Sequence, residues 1–354
     1  MANSPGLGPV GIRRLLDRFG SAGSILSASR FDLEDVDQIG PEVANGIHRL
    51  DLAWADAQLA SCSAHKVDIL TVADSDYPTL LLETFSPPPL LYVKGDHRIL
   101  ERPSVALVGA RNSSHYGRHV ARSFAEELAR KGVCVVSGMA LGIDACSHEG
   151  ALRGGATAAV LGTGLDHPYP ISNLALFHQI CEKGAVVSEF PMGTTVEPKH
   201  FPRRNRTISG LSQAVVVVEG GPRSGSLLTA QYALEQDREV FAVPGPVTSA
   251  KSLGPHHLLQ QGAHLAQSPG DILANIAGVE APGVPGTPST ATSFLGVEGK
   301  IVACLSSGQA THVDTIAHEV HLPPQEVLTI LLTLELASHV CQLPGKHFSL
   351  EHTS

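Results

Sequence analysis

At 354 residues the chain exceeds one ordinary core, and two or three domains are expected. Its 43% hydrophobic and 17% charged residues exclude a disordered or collagenous chain. No run of about 18 apolar residues is present, so no membrane span is expected, and the N-terminus lacks the basic and apolar regions of a secretory signal. The six cysteines (Cys62, Cys134, Cys146, Cys181, Cys304, Cys341) are scattered without a CxxC pair. That usage fits free thiols in a reducing, cytoplasmic setting and argues against a disulfide frame or a metal site.

The net charge of −9 is uneven. Residues 1–100 carry 8 Lys and Arg against 13 Asp and Glu, residues 101–280 carry 15 against 15, and residues 281–354 carry 2 against 6. A phosphate-rich partner therefore has only the middle of the chain to meet, through a local patch and not a global field.

Residues 1–60 read as a small helical domain. Gly8-Pro9 opens a helix carrying Ile12, Leu15, Leu16 and Phe19 at helical spacing, and Gly20 ends it. Gly40-Pro41 opens another through Val43 and Ile47. The two turns look like those of SAM or helix-hairpin-helix modules, whose backbone N–H groups can hold phosphate. The acidity of the segment favours plain helix corners. Residues 61–278 form the second domain. It starts with the strand candidates Val67–Thr71 and Leu90–Gly95. Short β-branched runs then alternate with helical stretches from Val105-Ala106-Leu107-Val108 to Val240-Phe241-Ala242-Val243. Near-continuous apolar strands separated by helices indicate an α/β fold, a parallel sheet covered on both faces. Residues 279–296, rich in Pro, Gly, Thr and Ser, read as a linker. Residues 297–354 have the pattern of a winged helix, with Pro344-Gly345 in its wing.

Ligands of parallel sheets bind beyond the carboxyl ends of the strands. Four of those loops are rich in glycine: Gly109-Ala110-Arg111, Ser137-Gly138 through Gly142-Ile143-Asp144, Gly162-Thr163-Gly164, and Gly220-Gly221-Pro222-Arg223-Ser224-Gly225-Ser226. None is a GxGxxG dinucleotide fingerprint. Asp144 reads as a helix cap. Ser224-Gly225-Ser226 at a helix start reads as an anion nest, where N–H donors, hydroxyls and the helix dipole converge. A basic knot, His200-Phe201-Pro202-Arg203-Arg204-Asn205-Arg206 with Lys199 just ahead of it, opens another helix. Arg111, Arg223 and the knot are expected on one sheet edge, around a phosphate site.

These motifs, with Asp166-x-x-Tyr169-Pro170, Ser188-Glu189 and Ile208-Ser209-Gly210-Leu211-Ser212, span residues 105–265 in order and resemble the DprA/Smf family of DNA-processing proteins. The resemblance implies an extended Rossmann-like core that binds single-stranded DNA. It further implies a homodimer through that core and delivery of the strand to the RecA recombinase during natural transformation, with no cofactor. Carried over position by position, the family's DNA pocket uses Arg111, Lys199, Phe201, Arg204 and Asn205. Gly109, Ser137, Gly138, Arg203, Arg206, Arg223, Ser224, Gly225 and Ser226 complete the expected DNA-binding set, with Arg203 at the motif's variable position.

The competing reading is an enzyme, a nucleoside-monophosphate phosphoribohydrolase on a similar fold. Such enzymes carry a glutamate just after the glycine loop, whereas Ser226-Leu227-Leu228-Thr229-Ala230-Gln231 holds no carboxylate. No triad, paired carboxylates or metal constellation is spelled out among Asp144, Glu149, Glu189 and Glu219, so no catalytic residue is assigned. The winged helix has only Lys300 and Lys346 as fixed cations, too few to anchor a groove-reading helix, and reads as a protein-contact element.

Overall fold

The computed structural model describes residues 6–278, 297–305, 311–336, 340–343 and 345–350. The expected linker at 279–296 lies outside the described residues, as does Pro344 of the expected wing. The chain divides into two compact units, Met1–Pro282 and Gly283–Ser354.

Five helices lead the first unit: α1 (Pro9–Phe19), α2 (Ala22–Ser27), α3 (Arg30–Glu34), α4 (Pro41–His48) and α5 (Leu52–His65). Pro9 and Pro41 each sit in a first turn, where the missing N–H costs nothing. Gly20 closes α1 in the left-handed region at φ 76°, donating to the Leu16 carbonyl. Leu7, Ile12, Leu15, Ile25, Leu33 and Ile47 pack together at the centre of these helices.

A mixed sheet follows, built from β1 (Asp68–Thr71), α6 (Thr79–Leu82), β2 (Leu90–Gly95), β3 (Ser104–Val108), α7 (His115–Arg130), β4 (Cys134–Ser137), α8 (Ile143–Gly154), β5 (Thr157–Leu161), α9 (Leu174–Lys183), β6 (Ala185–Ser188), α10 (His200–Gly210), β7 (Ala214–Val217), α11 (Gly225–Glu235), β8 (Glu239–Ala242), α12 (Leu253–Gln260), β9 (His264–Leu265) and α13 (Pro269–Leu273). The nine strands lie in the order β1-β2-β6-β5-β4-β3-β7-β8-β9. From β6 to β9 every neighbouring pair is parallel. The early strands β1 and β2 belong to the same sheet. They extend the sheet in antiparallel sense, with Tyr92 opposite Ser188 of β6.

Alternation splits each strand between two layers. Val105 and Leu107 of β3 pack with Phe124 and Leu128 of α7 and Ile143 of α8. Ala106 and Val108 pack with Ile208 of α10 and Ala230 of α11 on the other face. The chain moves from β3 outward to β6, then returns to place β7 on the free side of β3. The carboxyl ends of β3 and β7 are thus a topological switch point, where the following loops part and leave a crevice.

In the second unit α14 (Val297–Leu305), α15 (Val313–Val320) and α16 (Pro324–Leu336) enclose Ile301, Leu305, Ile316, Val327, Leu331 and Phe348. A three-stranded sheet joins them, β10 (Thr311–His312), β11 (Val340–Leu343) and β12 (His347–Leu350), in the order β10-β12-β11. Three helices and an antiparallel wing make a winged helix.

Helices α7 and α8 approach through glycine. A Cβ on Gly150 would run into the Arg122 carbonyl oxygen, and one on Gly154 into that of Glu126. Gly150→Ala should therefore destabilise the protein by about 1–3 kcal/mol through overpacking, although alanine is the better helix former by roughly 1 kcal/mol. Urea unfolding of the variant checks this, and a gain in stability contradicts the close approach.

Candidate nucleic-acid interface

The crevice is held open by a buried carboxylate. Glu219, which follows β7, accepts hydrogen bonds from the Ser114 amide at 2.8 Å and from the Ser114 hydroxyl. Its own carbonyl accepts the Ala110 amide at 2.8 Å. The β3 and β7 loops are thereby tied together. Gly117 is glycine because a Cβ there would overlap the Glu219 carboxylate. Ser114 also caps α7, its hydroxyl accepting the Gly117 amide at 3.0 Å.

Above these loops lies a cavity of about 210 Å³ whose lining includes Gly109, Arg111, Phe201, Arg204, Asn205 and Ser226. Phe201 and Arg204 belong to the first turns of α10, one helical step apart. Arg204 is only 5% exposed. Its Nη1 lies 3.9 Å from Asp144 Oδ2 and donates to the Val160 carbonyl at 3.3 Å, while its Nε–H is left without an acceptor among the described residues. Burial pulls the Arg204 pKa down, and the Asp144 charge opposes that shift. Burial pushes Asp144 up, opposed first by Arg204. The Phe201 ring has the Arg111 guanidinium 5.2 Å from its centroid and that of Arg204 at 5.8 Å. Both distances are in cation–π range.

On the far side, Ser224 caps α11 and its hydroxyl lies 2.8 Å from that of Ser226. The Asn205 side-chain amide donates to the Gly225 carbonyl at 3.2 Å, joining the second turn of α10 to the start of α11. The cavity therefore has two guanidiniums, an aromatic face and a helix N-terminus turned to one space. That combination recognises a phosphate beside a planar group.

The profile of the DNA recombination-mediator protein A family matches residues 68–277, and that of the DprA winged helix domain matches 285–346. The chain belongs to the DprA/Smf family. It is 43% identical over 292 residues to protein Smf of Escherichia coli, covering 79% of this chain and 77% of that protein. The structure is similar to that of DNA processing protein A from Streptococcus pneumoniae, with a TM-score of 0.70 at 35% identity over 78% of this chain and 95% of the other. It is also similar to DNA processing protein A from Helicobacter pylori, described for its single-stranded DNA binding mode, with a TM-score of 0.54 at 29% identity over 58% of this chain and 94% of the other. The matching family is that of a DNA recombination mediator, which agrees with the DNA-binding reading and not with the phosphoribohydrolase alternative.

Of the residues expected at a DprA/Smf pocket, Arg111, Gly109, Phe201, Arg204, Asn205, Ser224, Gly225 and Ser226 do come together. Gly138 lines a smaller cleft of about 60 Å³ next to them, with Arg111, Leu141, Tyr169 and Phe201. It has to be glycine, since a Cβ would overlap the Arg204 guanidinium. Ser137 is fully buried and its hydroxyl donates to the Leu107 carbonyl at 2.7 Å, so it braces the sheet. Arg203 and Arg206 face the other way. Phe201, Arg204, Asn205 and Ile208 share the i, i+3, i+4, i+7 stripe of α10, which leaves Arg203, Arg206 and Thr207 on another face. There Arg203 Nε sits 2.7 Å from Glu189 Oε2, and both arginines line a separate cleft. Lys199 is exposed, paired with Glu197 at 2.7 Å, and lines neither cavity. Arg223 is exposed and lies outside both linings.

Asp144 does not cap α8. Gly142 does, at φ 82°, where a Cβ would meet the carbonyls of Ala110 and Arg111. Asp144 is the buried counterion of Arg204. Tyr169, whose ring lies 6.2 Å from that of Phe201, is legible in sequence only as part of the Tyr-Pro motif.

Beneath the site His148 is fully buried, with Nδ1 2.7 Å from the Thr157 hydroxyl. Burial first, and the Arg204 charge second, lower its pKa to about 3. The folded protein therefore keeps this ring neutral, while the unfolded chain protonates it below about pH 6.5. Its stabilising contribution is complete above pH 6.5 and declines as the pH falls toward 3. Between pH 6 and 4, His148→Gln should flatten the fall of unfolding free energy by about 1.4 kcal/mol per pH unit, the slope of one proton. Urea titrations across that range check it, and equal slopes contradict it.

Proposed function

We propose that this protein binds single-stranded DNA in the switch-point crevice and hands the strand to a RecA recombinase, acting in the cytoplasm as a homodimer through its sheet domain. The observation that carries the DNA reading is the Phe201 ring with Arg111 and Arg204 on it, beside the N-terminus of α11. A base or sugar rests on the aromatic face, and the guanidiniums fork onto the adjoining phosphates. The cavity is too small for a duplex and has no long aromatic platform, so backbone contacts set the affinity. The Helicobacter pylori relative, described as a single-strand binder, supports this reading. Recombinase delivery and dimerisation rest on the family resemblance.

Arg111 is the clean probe, being exposed and without a buried partner to strand. Arg111→Ala should weaken binding of an oligothymidine about tenfold or more, the equivalent of a charge-assisted hydrogen bond of roughly 1.5–3 kcal/mol. Arg203→Ala, on the other face of α10, should leave affinity within about twofold. Fluorescence anisotropy decides both, and equal losses in the two variants remove the crevice from consideration. The salt slope of log Kd should drop by about 0.7 for each phosphate that Arg111 neutralises in the unaltered protein.

The C-terminal module is acidic, with six Asp and Glu against two Lys and Arg over residues 281–354. We assign it to protein contacts. A chain ending at residue 296 should keep its single-strand affinity within about threefold. A larger loss places DNA contacts on the winged helix.

A further inference from the structure

A second cavity of the first unit is roomier than the crevice. It is a groove of about 570 Å³ between α9 and the end of α5, against about 210 Å³, and Arg111, Phe201 and Arg204 do not line it. Its wall carries apolar groups left open to solvent: Ile171 is 78% exposed and Tyr169 is 41% exposed. Phe177 closes its floor. Lys94 and His178 line it as well, as does His65 at the end of α5. One acid is present, Asp166, and it is already engaged. Both of its oxygens accept the Gly193 amide at 2.9 Å, and its side chain is only 16% exposed.

Tyr169 joins this groove to the crevice. It lines the groove and also the small cleft that holds Arg111, Gly138, Phe201 and Arg204. That cleft in turn shares Arg111, Phe201 and Arg204 with the main cavity. The three cavities are therefore neighbours, linked by shared walls from the N-terminus of α11, past Phe201 and Tyr169, to Lys94. We infer that the groove is a second nucleic-acid subsite, taking the nucleotides that continue from the crevice, with bases on Tyr169 and Ile171 and a phosphate near Lys94. This rests on the single-strand reading of the crevice and deepens it.

The chemistry favours a nucleotide chain over another occupant. An aromatic and aliphatic wall suits base faces of any sequence, the basic groups suit phosphate, and the walls shared toward the crevice place it where a connecting strand would arrive. A free small molecule would need no such connection.

The test is strand length. Thymidine oligomers of about 4 and about 15 nucleotides, the span of site sizes of single-strand binders, are titrated against the full chain and against Ile171→Glu, Lys94→Glu and Arg111→Ala. Ile171 is a surface residue and Lys94 is partly exposed, so both variants should fold, with circular dichroism as the check. The expected result is an unchanged affinity for the short oligomer and a loss of about fivefold or more for the long one in Ile171→Glu and Lys94→Glu. The salt slope for the long oligomer should also fall by about 0.7 in Lys94→Glu. Unchanged affinity for both lengths overturns the second subsite while leaving the crevice standing, provided Arg111→Ala still weakens both. Equal loss at both lengths also overturns it, because the groove would then act on the crevice and not on the strand. Absence of binding by the unaltered chain overturns both readings.

Discussion

A guanidinium buried as deeply as Arg204 is tolerated only with a counter-charge and acceptors around it. The rest of the crevice is arranged to supply them. Asp144 provides the charge and the Val160 carbonyl an acceptor, while the missing side chain at Gly138 provides the room. The pairing at 3.9 Å is loose, and the Nε–H has no acceptor among the described residues. An unsatisfied buried donor costs about 1–3 kcal/mol. Stability is thus given up at the crevice, and His148 below stays neutral first because it is fully buried and second because the Arg204 charge lies near it.

The acidic residues near the crevice act as structural clamps. Glu219 ties the β3 loop to the β7 loop, and Glu189 receives Arg203 and the Thr207 hydroxyl behind α10. Each carboxylate fixes a loop or helix that presents a cation or an amide to the cavity. The crevice can therefore be locally basic in a chain of net charge −9. Its acids are turned onto an amide, hydroxyls and the arginines Arg203 and Arg204, and Arg111 is left exposed.

The helical faces explain why a dense basic stretch is less uniform than it reads. Three arginines fall between positions 203 and 206, yet only Arg204 turns to the crevice. Rotation of about 100° per residue separates Arg203 and Arg206 from the stripe of Phe201, Arg204 and Asn205. That separation is computable from sequence once the helix is known to start at His200. Which stripe faces the sheet edge depends on Ile208 packing onto β3 and β7. Lys199 lies just before the first turn, where no face is imposed, and it pairs locally with Glu197.

The sequence by itself determined the parallel sheet, through its short β-branched runs, and the positions of the glycine loops and helix starts at Pro9, Pro41 and Ser224. These depend on local sterics and periodicity, which travel with the chain. It also determined family membership, because the motifs recur in order along the core. The antiparallel joining of β1 and β2 to the sheet, the bracing role of Ser137, the counterion role of Asp144 and the groove beyond Tyr169 were decided only by tertiary structure. Each depends on partners far along the chain: Tyr92 with Ser188, Ser137 with Leu107, Asp144 with Arg204, Tyr169 with Phe201. Such pairings arise from strand order and layer packing, and no local pattern of residues encodes them.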